Sequence, residues 1–159
     1  MGVRGAATGA CLFGGRLAVV GEAGGAPAVA LLDKGSGEVL AMWRGEGAGY
    51  FGNCLSHGGA LYAAGWVEVG GRQLGAVYIF DKGLNPVEKV EVGGGGLHAL
   101  AHDGDYLYVA GFAVEDVDGD GDEEWIWRIE RTADFTAFKF ANIYADGWDT
   151  GVVLDMAIN

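Results

Sequence analysis

Apolar and polar positions alternate along this chain in short runs, each broken within about ten residues by glycine, asparagine or aspartate. Such runs, rich in β-branched and aromatic residues, predict strands, and no segment keeps a helical period for a useful length. The predicted strands fall at Ala10–Phe13, Arg16–Gly21, Ala28–Asp33 and Glu38–Trp43, then at Asn53–Ser56, Ala60–Val67, Gly75–Asp81 and Val87–Val92. A third set follows at His98–His102, Tyr106–Val114, Glu124–Glu130 and Ala137–Ile143. The fold class expected is all-β.

The pattern is periodic on a longer scale. The second strand of each set closes on glycine, as LAVVG (Leu17–Gly21), LYAAG (Leu61–Gly65) and LYVAG (Leu107–Gly111), with the glycines 44 and then 46 residues apart. The third strand of each set ends in an acid followed by a base: AVALLDK, AVYIFDK and WIWRIER, with acids Asp33, Asp81 and Glu130. Two landmarks recurring in step mark one supersecondary unit of about 45 residues, written three times. The units are read as 9–51, 52–96 and 97–150, within a single segment spanning 1–159; residues 151–159 (GVVLDMAIN) begin a further repeat.

Four antiparallel strands at this period are the signature of a β-propeller blade. A blade cannot bury both its faces alone, and closed propellers take roughly four to eight blades. Three blades plus one strand therefore predict closure by a second copy into six, or a piece of a longer propeller. The last copy, LYVAGFAV, then EEWIWRIE, then DGWDTGVVLDMAI, resembles the SBBP, or YVTG-like, β-propeller repeat family. Leu107–Gly111, Trp125–Glu130, Asp146–Gly151 and Val152–Asp155 match that family's successive segments in order. The resemblance implies a propeller fold and a non-catalytic role. The first two units depart from it, with Gly93–Gly96 standing where the family has a polar turn.

Composition narrows the partners. The 159 residues carry a formal charge of −12, which repels nucleic acid and anionic membranes. No run of about 20 apolar residues predicts a membrane span, and the N-terminus does not read as a signal peptide. As written the chain reads as cytoplasmic; as a fragment of a longer protein it reads as secreted. Thirty-one glycines fit many tight turns. Cys11 and Cys54 fall in similar contexts (ACLFGG, NCLSHGG) of the first two units. Equivalent positions face the same way, so shared burial is expected. A disulfide needs Cα atoms within about 7 Å, which innermost strands meet only near a common axis.

One loop carries metal-ligand spacing. Asp116-Val-Asp118-Gly-Asp120-Gly-Asp122-Glu-Glu124 places alternate carboxylates ahead of a glycine, which lets the backbone curl round a hard cation. Asp116, Asp118 and Asp120 would offer side-chain oxygens, Asp122 its carbonyl, and Glu124 would complete the shell around Ca2+. The spacing is similar to calcium hairpins in integrin-type propeller blades. It is unlike an EF-hand, since the twelfth position is Trp127. Crowded carboxylates repel unless a cation or water screens them; the alternative is a solvated acidic turn. Because the other units lack these acids, one structural calcium per chain is expected.

Other chemistry is sparse. His57 and His102 fall in corresponding turns that would share one rim, without a ligand set around them. Ser56 and His57 are adjacent in sequence, so their side chains point to opposite faces and relay no proton. Neither Gly45–Gly49 nor Gly93–Gly96 makes a phosphate loop, for no Lys-Ser/Thr and no helix follows. Most aromatics are expected to pack between blades, with Tyr50 and Trp148 placed to line a ligand rim. Asn53, His98 and Asp155 are the polar groups expected on innermost strands. These features favour a non-enzymatic binding or scaffold module that forms a homodimer. The competing readings are a segment of a secreted surface or adhesion protein, and a propeller hydrolase or lactonase with a metal in its channel.

Overall fold

The computed structural model describes residues 4–113, 123–130 and 137–142. These form eleven strands and no helix: β1 (Gly5–Phe13), β2 (Arg16–Ala23), β3 (Ala26–Leu32), β4 (Val39–Arg44), β5 (Gly49–His57), β6 (Ala60–Val69), β7 (Arg72–Phe80), β8 (Pro86–His102), β9 (Tyr106–Ala113), β10 (Glu123–Glu130) and β11 (Ala137–Asn142). The protein is all-β, with two antiparallel sheets, one of them curled into a half-barrel. The first sheet has the order β1-β2-β3-β4 and the second β11-β10-β9-β8-β7-β6-β5. Adjacent strands are therefore sequence neighbours throughout, as short hairpin turns require. Gly14–Gly15, Gly24–Gly25, Gly58–Gly59 and Gly70–Gly71 all take positive φ at both turn positions. That is the type I′ geometry whose twist matches the flanking strands.

One expectation fails at β8. The strands expected at Val87–Val92 and His98–His102 are a single strand of 17 residues, and Gly93–Gly96 runs inside it instead of forming a turn. Gly93 and Gly95 have φ of 105° and 128°, values closed to a side chain. They let β8 bend, so that Pro86–Gly94 pairs with β7 while Gly95–His102 pairs with β9. The second and third four-stranded sets are thereby fused into one sheet.

The core lies in two layers. Phe13, Ala18, Val20, Val29 and Leu31 of the first sheet meet Phe51, Leu61, Ala63 and Phe80 of the second. Tyr62, Ala64, Val77 and Ile79 meet Leu97, Leu100, Leu107, Val109 and Ile129 on the other side. Alternate residues of β6 and β7 thus feed different cores, so both faces of these strands are apolar. Trp43 is set between the sheets, its ring 4.9 Å from Phe80 and 5.3 Å from Tyr78. Gly21, Gly65 and Gly111 share one environment: a Cβ on any of them would collide with a carbonyl oxygen of the preceding strand, at Ala6, Tyr50 and Gly96 respectively.

Candidate functional site

The polar and reactive groups gather where β5 passes between β1 and the second half of β8. Each of these three strands is bulged, at Thr8, Gly52 and His98 respectively. A bulge leaves one residue outside the ladder and bends the strand. Here the backbones come close: a Cβ on Gly9 would lie 3.0 Å from the Asn53 Cα, and one on Gly52 would lie 2.9 Å from the Leu97 carbonyl oxygen.

β1 and β5 belong to different sheets, and side chains join them. The Thr8 hydroxyl donates to the Phe51 carbonyl, and the Ser56 hydroxyl donates to the Leu12 carbonyl at 2.6 Å. Between these bonds Cys11 and Cys54 form a disulfide with Cα atoms 5.9 Å apart. The expectation that both cysteines point the same way is corrected here. Cys11 pairs with Ala18, three residues before Gly21, whereas Cys54 pairs with Ala63, two residues before Gly65. A one-residue offset in a strand reverses the face. Cys11 therefore points out of the first sheet toward the second and Cys54 back toward the first. Both are also packed against the first core.

At one end of this junction lies a row of half-buried rings. Trp66 stands edge-on to Tyr50 at 5.9 Å, Tyr50 is 6.5 Å from His98, and His98 stacks on Phe112 at 5.6 Å. Burial pushes the Tyr50 phenol up and the His98 imidazole down from their ordinary values, so both favour the neutral form. Tyr50, expected to line a ligand rim, is a member of this row of rings, while Trp148 lies outside the described residues. His98 was expected as a polar group on an innermost strand, whereas the signal for Trp66 and Phe112 was present only as isolated aromatic positions on separate strands.

At the opposite end His57 and His102 stack with centroids 3.6 Å apart and planes 16° apart. The sequence placed both on one rim, and the structure brings them into contact. His102 Nδ1 accepts the Gly104 amide at 2.8 Å. Ser56 faces the first sheet and His57 faces β8, so no proton relay joins that pair. The Asn53 side chain is turned locally, accepting the Cys54 amide at 2.8 Å.

The acidic residues Asp116, Asp118, Asp120 and Asp122 lie outside the described residues. Glu124 is placed only through its backbone, in β10 opposite Phe112. Asp155 is likewise outside. Among the described residues, no three His, Cys, Asp or Glu side chains converge to hold a metal ion, and no helix is long and apolar enough to cross a membrane. No protein-family model matches the chain, and a search of curated proteins finds no relative.

Proposed function

We propose that the chain is a non-enzymatic binding or scaffold segment of β-propeller type, whose three four-stranded units are successive blades closed by a second copy. The observation that supports this most is the packing order. β6 and β7 sort alternate residues into one core toward the first sheet and another toward β8–β10. Blades stacked face to face around an axis need that double burial. The axis would run past β1, β5 and the second half of β8, the strands that bulge and approach one another. The resemblance to SBBP-type repeats belongs to the same reading. The acidic segment 114–122, which connects β9 to β10, would carry one structural calcium through Asp116, Asp118, Asp120, Asp122 and Glu124.

Polar groups on the axial strands favour binding over catalysis. Among the described residues there, Thr8, Asn53 and Ser56 are already engaged in protein hydrogen bonds and His98 is stacked in the ring row. The row from Trp66 to Phe112 is the surface on which a protein or small-molecule ligand would rest. The disulfide favours a second reading of the context, a secreted surface or adhesion segment, because such bonds persist mainly in oxidising compartments. Light scattering after size exclusion, with calcium and again with a chelator, tests the proposal. It predicts a mass of two chains that responds to chelation. A single-chain mass under both conditions contradicts it.

A further inference from the structure

The first sheet has two faces, and one is open. Ala18, Val20, Val29 and Leu31 point into the first core, while their strand neighbours Leu17, Val19, Ala30 and Leu32 point away and are half-exposed. Cross-strand pairing adds Leu12 opposite Leu17 and Met42 opposite Ala30 to that open face. These two side chains are 65% and 58% exposed. Of the six large exposed hydrophobics among the described residues, four (Leu12, Val39, Leu40 and Met42) are on this sheet, so the apolar exposure is concentrated, not scattered. A shallow depression of about 220 Å3, walled by Ala6, Ala7, Gly21, Ala28 and Met42 among others, lies over one end.

The other units show what such a face meets. Counted from the closing glycines, Leu17 corresponds to Leu61 and Leu107, and Val19 to Ala63 and Val109. Leu32, paired with Leu17, corresponds to Phe80 paired with Leu61 and to Ile129 paired with Leu107. All six counterparts are at most 1% exposed. Leu61, Ala63 and Phe80 are buried against the first sheet, and Leu107, Val109 and Ile129 against β6 and β7 of their own curled sheet. The positions that pack on the preceding four-stranded set in the second and third units are therefore open to water in the first.

We infer that this face seats a β-sheet of a second copy of the chain, an inference that rests on the propeller reading and names its contact surface. Two copies of a chain with charge −12 repel through their acids; Leu12, Leu17, Val19, Ala30, Leu32 and Met42 are themselves uncharged, and Glu22 borders the depression at one end of the face. Association through this face should therefore tighten with salt, which screens the repulsion and strengthens apolar burial.

Sedimentation velocity on the full chain at low and high salt tests this, beside Leu12→Asp/Met42→Asp and the control Val87→Asp. Val87 is 58% exposed and sits on β8, away from the open face. Wild type and the control should sediment as two chains, with salt lowering the dissociation constant. The double variant should sediment as one chain while keeping its strand circular dichroism. If it does not fold, Met42→Lys alone repeats the test at a side chain already in water. A folded face variant that stays at two chains places the interface elsewhere and overturns the inference, leaving the propeller reading intact. A wild type that sediments as one chain at micromolar concentration overturns the second copy itself.

Discussion

At Gly65 a side chain has no room, because the Tyr50 carbonyl occupies the place of its Cβ. Gly65→Ala must push β5 and β6 apart, and overpacking of this kind costs roughly 1–3 kcal/mol or more. Gly35 is the contrast, since the nearest atom to its Cβ would be a carboxylate oxygen of Asp33 at 3.3 Å in an exposed turn. Urea denaturation should show a large loss for Gly65→Ala and little change for Gly35→Ala; equal effects would refute the close approach. The turn carboxylates make a second prediction. Asp33, Asp81 and Asp103 sit below their ordinary value of 3.8, held there chiefly by the Ser36 amide, the Asn85 side-chain amide and the Tyr106 amide respectively. A depressed folded-state pKa contributes stability above the unfolded pKa and loses it as pH falls through the folded one. Urea midpoints should therefore drop below about pH 4, and Asp81→Asn should flatten that acid limb. An unchanged limb in the variant would show that the turn bonds do not couple to folding. The aspartates ending the third strands were legible as landmarks, but not their role as turn acceptors. The cysteine offset was legible too: Cys11 lies ten residues before Gly21 and Cys54 eleven before Gly65. Similar local context hid it, because indels between landmarks make flanking residues a poor guide to register.

The strands themselves were the most readable elements, since their period-2 pattern survives even where both faces are buried. Their ends and connections were less so. β8 was read as two strands because four successive glycines resemble a turn. What decides is the ladder on each side, and those partners are not sequence neighbours of the glycine run. The disulfide acts at this scale by fastening β1 to β5 across two sheets that share no backbone ladder. Its cysteines are 43 residues apart, a loop for which the chain-entropy model gives about 4 kcal/mol of stabilisation. Cys11→Ser/Cys54→Ser should lose a large part of this in urea denaturation. Amide exchange should accelerate first in β1, which otherwise meets β5 through two hydroxyl bonds and the first core. A variant as stable as wild type, with unchanged β1 exchange, would show that the core alone fixes the first sheet.

For the whole molecule, the double core explains why one periodic pattern yields a layered protein. Among the described residues β6 and β7 lend one apolar face to each core, and the first sheet is left with a face to spare. That surplus was legible as a count of units. Where it would fall was not, since only the described packing shows which face of the first sheet is taken. The metal proposal belongs at this scale as well. If the 114–122 connection holds calcium, chelation should lower the melting temperature of wild type by several degrees, and Asp118→Ala/Asp120→Ala should melt at the lower temperature with or without calcium. Identical melting of wild type in calcium and in chelator would remove calcium from the account. The central claim is that successive four-stranded units pack around a common axis, and small-angle X-ray scattering on the purified chain tests it most directly. The account predicts the profile of a flattened disc of two chains with a central channel. An elongated particle, or a compact single chain without a channel, would contradict it.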